Sequence, residues 1–196
     1  MNAKEVLHAI RLYKNKAAVL REVSVADPFE YARYNLWHLS DPNYGDYYRQ
    51  KFEQNPDRWL VAESLPEGWS PHKRKFERRI DALIIDTHRT AVEIKVTRSD
   101  FKADTDEKRA PWVHYTHKFV YAVPHGLVTP DEVPDYCGLW YVDPEAARDY
   151  QWHHGVTVAK KAKVNKEAVD LPANLVKSLM GRLSRYEYDA EKRARG

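Results

Sequence analysis

The stretch RRIDALIIDTHRTAVEIKVTRSD, residues 78–100, decides how this chain is read. Two β-patterned runs, 78–86 and 90–96, flank a turn, and each sets ionisable side chains among apolar ones. Side chains alternate faces along a strand, so Val92, Ile94 and Val96 point one way and Glu93, Lys95 and Thr97 the other. On the preceding run Asp81 shares its face with Leu83 and Ile85, a costly place for an ionised carboxylate unless a cation or a donor answers it. A salt-bridged, solvent-facing hairpin is one reading. The other is two carboxylates beside one lysine, a set suited to a hard divalent cation, because Mg²⁺ takes oxygen ligands and keeps waters for chemistry. Such a metal polarises a phosphoryl oxygen and acidifies an attacking water. Lys95 would then orient or deprotonate that water, or stabilise charge on the pentavalent phosphate, and the Ile94 carbonyl would be a further ligand.

Working outward, residues 3–15 space Val6, Ile10 and Tyr13 as an amphipathic helix. Residues 17–25 alternate as a strand that contains Glu22. Residues 26–75 lose any sustained period and are rich in proline, tyrosine and tryptophan, with a short helix expected near 44–54. This is an excursion from the domain, either a packed cover or a functional insertion. Downstream, 98–117 suggests one or two short helices interrupted by Pro111. Residues 118–124 form a continuous apolar run, a buried strand, and 138–143 and 155–162 are further strands, the last at an edge. Leu175, Leu179 and Leu183 mark a C-terminal amphipathic helix with a basic tail, about 171–196. The expected fold is α/β: one domain over 1–196, with a central mixed sheet flanked by helices.

With 196 residues and 43% hydrophobic content the chain can furnish one core, and a net charge of +3 neither demands nor excludes a polyanionic partner. Cys137 is the single cysteine, which removes an intramolecular disulfide and any cysteine-rich zinc module and suits a reducing cytosolic compartment. No run approaches the ~20 apolar residues a membrane span needs, so no membrane association is expected.

The residues RIDALIID…AVEIKVTRSDF, with the spacing D-x11-ExK, resemble the PD-(D/E)xK nuclease superfamily. The flanks EIKVTRSDFKAD and Y-x-x-KFVYAVP look like its MmcB-like branch of DNA-repair and phage nucleases, in which a helix and an acidic strand precede the motif, as EVLHAIRLYKNKAAVLREV does here. The resemblance covers roughly 3–25 and 76–143, and does not cover the excursion. It implies a restriction-endonuclease-like core and a Mg²⁺- or Mn²⁺-dependent DNA nuclease working in the cytoplasm of a bacterium or a phage-infected host. Asp81 and Glu93 would be metal ligands, Lys95 the catalytic lysine and Glu22 the additional acidic residue. The alternatives are a catalytically silent nucleic-acid-binding module of the same fold, and a protein-interaction domain of a phage or mobile element.

Candidate DNA contacts surround this set. Arg98, Ser99 and Lys102 follow the ExK strand where a helix N-terminus would offer amides to a phosphate, and Lys108 and Tyr115 lie on the next helix. Lys73, Arg74, Lys75 and Arg78 form a basic run leading into the Asp81 strand, suited to salt-dependent phosphate contacts. Tyrosines and tryptophans of the excursion suit stacking on unpaired bases. His114, His117, His125, His153 and His154 show no zinc-site spacing.

Overall fold

A computed structural model of the chain describes residues 1–56, 59–146 and 155–195, so His153 and His154 lie outside the described residues. Two compact units emerge: Met1–Ser24 with Arg79–Gly196, and Val25–Arg78. The second coincides with the expected excursion.

The first unit begins with helix α1, Ala3–Tyr13. Its start is a capping box: Asn2 Oδ1 accepts from the Lys4 and Glu5 amides, and Glu5 returns a carboxylate oxygen to the Asn2 N–H. Strand β1, Ala18–Ala26, follows. Its inside–outside alternation slips at Arg21 and Glu22, which are both exposed, and Glu22 has φ 46°, in the left-handed region. Two adjacent outward residues and one left-handed residue are the pattern of an extra residue inserted in a strand, so the simple alternation expected over 17–25 does not hold through Glu22.

The six strands lie in chain order, β1 to β6. Strands β2 (Glu77–Ile85) and β3 (Arg89–Ile94) form an antiparallel hairpin with Ala82 opposite Val92. Strand β4 (Lys118–Pro124) runs parallel to β3, with Glu93 beside Tyr121, and β5 (Gly138–Val142) runs parallel to β4. Strand β6 (Val156–Lys160) closes the sheet antiparallel at the edge. A parallel step from β3 to β4 needs a crossover. Two short helices supply it: α4 (Arg98–Lys102) and α5 (Asp106–Tyr115). Pro111 sits inside α5 rather than ending it. The architecture is therefore a mixed six-stranded sheet flanked by helices.

On one sheet face Val6, Ala9 and Ile10 of α1 pack on Ala82, Ile84, Val92, Ile94, Val120, Ala122, Trp140 and Val142. Each large aliphatic side chain buried there contributes about 1.5–3 kcal/mol. The alternate positions Leu83, Ala91, Phe119 and Tyr121 are buried on the other face, with Trp112 of α5. The last helix, α6 (Ala173–Arg195), buries Leu175 and Leu179. Leu183 is 38% exposed, so only the first turns of the expected apolar stripe are covered.

In the unit 25–78, Asp27 caps helix α2 (Pro28–Leu39), accepting from the Phe29 and Glu30 amides, with Pro28 at the first helical position. The same residue ties the two ends of the excursion: its N–H donates to the Phe76 carbonyl at 2.8 Å and its Oδ2 accepts from Arg78 Nε at 2.8 Å. Helix α3, Gly45–Gln54, is the short helix expected there. No helix among the described residues is long and apolar enough to cross a membrane.

Candidate active site

The hairpin places Asp81 one step beyond the Ala82–Val92 pair, next to Glu93, on the face opposite α1. Asp81 Oδ2 accepts the Ile94 N–H at 2.8 Å. Glu93 Oε1 accepts from Lys95 Nζ at 2.9 Å, and Lys95 Nζ also reaches Asp100 Oδ1 at 3.5 Å. The Lys95 N–H donates to Ala122 O at 3.1 Å, which continues the β3–β4 pairing beyond Ile94 and fixes the root of a lysine only 8% exposed. Asp81, Glu93, Ile94 and Lys95 thus meet at one point of the sheet. Val92 and Ile94 enter the opposite core, as the alternation requires.

Electrostatics set this point apart. Burial first, and then the neighbouring Asp81, push the Glu93 carboxyl up to about 7, with Lys95 offsetting only part of their effect. Asp81 is also raised, chiefly by burial, against the Ile94 amide and Lys95. Burial alone would lower Lys95, but Glu93, Asp100 and Asp104 outweigh it and hold the lysine above its ordinary value. The lysine is therefore an ammonium, suited to orienting a ligand or stabilising negative charge rather than to removing a proton. Asp81 Oδ1 and Glu93 Oε2 enter no hydrogen bond among the described residues.

Residues without a motif complete the site. Asp104 Oδ2 accepts from Arg109 Nη1 at 2.7 Å and from the Tyr121 hydroxyl. Arg109, 7% exposed, also donates to Tyr121 Oη at 2.8 Å, to Tyr136 Oη at 3.2 Å and to Asp106. Burial opposes the charge on Arg109, but these partners raise its pKa overall. Tyr121 stands beside Glu93 in the sheet, so this cluster buttresses the carboxylate pair. Asp104 and Arg109 carry no local signature. A same-face argument would have found Tyr121, once β4 was set parallel to β3.

The remaining candidates are dispersed. Glu22 is exposed on β1 and is not among the charges that weigh most on Asp81, Glu93 or Lys95. Arg98 spends its guanidinium on Leu127 O, at 2.6 Å, and on Glu132. Ser99 Oγ lies 3.1 Å from Thr97 Oγ1, and Thr97 caps the five-residue α4, so the Asp100 amide is satisfied internally. Lys102 is exposed, Lys108 Nζ donates to Ala103 O at 2.7 Å, and Tyr115 is buried. Lys73, Arg74, Lys75 and Arg78 belong to the unit 25–78. Cys137 is buried, which pushes its thiol up to about 12 and leaves it unreactive. Among the described residues no three or more His, Cys, Asp or Glu side chains group to hold a metal ion.

No protein-family model matches the chain, and no curated protein does. One similar solved structure is a protein of unknown function from Silicibacter pomeroyi, SPO1766, 19% identical with a TM-score of 0.40, covering 69% of this chain and 78% of that one.

The Glu93 shift has a measurable consequence in metal-free protein. A carboxyl whose folded value exceeds its unfolded 4.5 binds its proton more tightly in the fold. Its share of stability is complete below 4.5 and drains away as pH rises through about 7. Glu93→Gln, a mimic of the protonated form, is expected to melt like wild type near pH 5 in EDTA. By pH 8 it should be the more stable, by up to about 3 kcal/mol. Parallel melting curves across this window would show that Glu93 is not held in a raised state.

Proposed function

We propose that this chain is a Mg²⁺- or Mn²⁺-dependent nuclease that hydrolyses phosphodiester bonds in DNA. The observation that carries the reading is the meeting of Asp81 and Glu93 beside Lys95 on one sheet face, each carboxylate keeping an oxygen outside any described hydrogen bond. Two carboxylates held this close repel, and burial lifts both pKa values. A hard divalent cation relieves that cost directly and favours the ionised pair.

The donor set fits such an ion. Mg²⁺ binds through one or two carboxylates, with waters and substrate oxygens filling the rest of its shell, so a third acidic side chain is not required. Asp81, Glu93 and the Ile94 carbonyl would hold it. The bound ion supplies Lewis acidity to the phosphoryl oxygen and a more acidic water. Lys95 holds its ammonium within 2.9 Å of Glu93, oriented by Glu93 and Asp100, and stabilises the negative charge that grows on the phosphate. The Asp104–Arg109–Tyr121 cluster keeps Glu93 and Lys95 in place. A restriction-endonuclease-like core belongs to the same proposal. It is supported by the helix α1 and the strand β1 preceding the hairpin, and by the crossover that brings Tyr121 beside Glu93.

Purified protein is expected to cut at least one of single-stranded, duplex, flapped or branched DNA with Mg²⁺ or Mn²⁺, and to stop in EDTA. Absence of cleavage of all of these, and of RNA, would overturn the reading. Either metal should also raise the melting temperature at pH 8, and Asp81→Asn should abolish that increase.

A further inference from the structure

The unit 25–78 contains a cleft that the carboxylate site does not use. Helix α2 is two-sided. On its inner side Glu30, fully buried, accepts from Arg33 at 2.6 Å and from Trp69 Nε1 at 3.0 Å, while Asn35 Nδ2 donates to Leu60 O at 2.9 Å. These bonds hold the segment 59–69 against the helix. On the other side Tyr31, Tyr34 and Trp37 follow one another at three-residue steps, which keeps them on one helical face. Phe76 lies beside both tyrosines, at ring-centroid distances of 5.1 and 5.4 Å, and the Tyr34 and Trp37 rings are close to parallel, at 15°. Together with Pro71 and His72 these rings line an open cavity of about 550 Å³. Tyr31 remains 43% exposed.

The segment that joins two of the lining residues is cationic. The sequence between two of its lining residues, Pro71 and Phe76, is His-Lys-Arg-Lys, with no acidic residue. Lys73 and Lys75 are exposed and enter no ion pair among the described residues. No lining side chain is a carboxylate. Aromatic faces on a wall continued by an exposed basic segment complement a ligand with flat rings and a negatively charged backbone. A purely apolar peptide would leave the adjoining basic segment unmatched, and a duplex hides its base faces within the stack.

We propose that this cleft receives unpaired nucleobases of single-stranded DNA, Tyr31 and Trp37 stacking on bases while Lys73 and Lys75 meet the flanking phosphates. The choice of DNA rests on the nuclease reading above; the preference for unpaired bases rests on the cleft. Stacking engages the base faces rather than their edges, so recognition is tolerant of sequence.

The test is a binding titration of the full chain in EDTA, where no cleavage occurs. The probes are labelled oligo(dT) of about 15 nucleotides, an abasic strand of equal length, a blunt duplex and oligo(U). Oligo(dT) is expected to bind at least about tenfold tighter than the abasic strand and to quench tryptophan emission. Trp37→Ala lowers oligo(dT) affinity about tenfold and leaves the abasic strand unchanged. Tyr31→Ala, at an already exposed ring, keeps the test decisive if Trp37→Ala disturbs the unit, and lowers oligo(dT) affinity about fivefold. Lys73→Ala with Lys75→Ala weakens both strands alike and reduces the salt slope by about 1.4. Equal binding of oligo(dT) and abasic strand, tighter binding of the duplex, or unchanged affinity in Tyr31→Ala overturns the proposal, and tighter binding of oligo(U) overturns its assignment to DNA. Absence of cleavage would remove the nuclease reading and leave this readout intact. Base-blind binding would do the reverse.

Discussion

Lys95→Ala is expected to lower metal-dependent DNA cleavage by about 10³-fold, the loss found when a positioned charge is removed from the transition state. The lysine is 8% exposed, sits 2.9 Å from Glu93 and 3.5 Å from Asp100, and holds its proton more firmly than an ordinary lysine. Its contribution is a fixed positive charge, so the pH–rate profile should show no limb from its deprotonation below pH 9. Lys95→Arg keeps the charge but spreads it over a planar fork that cannot occupy the same point, and should recover only part of the rate. The alanine variant should still bind metal, because Asp81 and Glu93 remain. Steady-state cleavage beside a metal-dependent melting shift separates these effects: wild-type cleavage by Lys95→Ala would remove the lysine from the mechanism, and loss of the metal shift would reassign it to holding the carboxylates.

Arg109→Ala should be the most destabilising single change near the site, costing about 3–5 kcal/mol. The guanidinium is buried among Asp104, Asp106, Tyr121 and Tyr136, and Asp104 has a side chain only 6% exposed. Removing the arginine leaves that carboxylate buried with the Tyr121 hydroxyl as its remaining hydrogen-bond donor among the described residues. For a domain of this size the change corresponds to a fall in Tm of about 10 °C. Asp104→Asn in the Arg109→Ala background removes the uncompensated charge and should restore part of the loss, giving a non-additive double-mutant cycle. Additive effects would mean that Asp104 and Arg109 are not a unit. Because Asp104 also acts on Glu93 and Lys95, cleavage at a temperature where Arg109→Ala is folded should fall as well.

The hairpin was legible because its signals are local. Alternation over 90–96 assigned Val92 and Ile94 to one face and Glu93 and Lys95 to the other, and an aspartate among Leu83 and Ile85 flagged a paired charge; the structure places these side chains accordingly. The parallel strand 118–124 was equally plain, as a continuous apolar run. Helix α2 was not found, although Asp27-Pro28 with Glu30 three residues after the cap is a recognisable helix start. Its aromatic face has no apolar period because part of it stays at the surface, and its inner face buries Glu30, which reads as polar. Glu22 shows the limit of alternation: one left-handed residue shifts the phase of the strand, and no propensity argument places that residue beforehand.

What the sequence determined by itself is the order of elements outside the excursion and the identity of the charged hairpin, since side-chain period and turn chemistry act over a few residues. Only the tertiary structure decided the company those charges keep. Asp104, Arg109, Tyr121 and Tyr136 span more than thirty positions of chain, and they meet because the α4–α5 crossover returns β4 parallel to β3. The raised state of Glu93 is likewise tertiary: burial, and then the neighbouring Asp81, set its affinity for a proton, and burial is a property of packed space rather than of sequence neighbours.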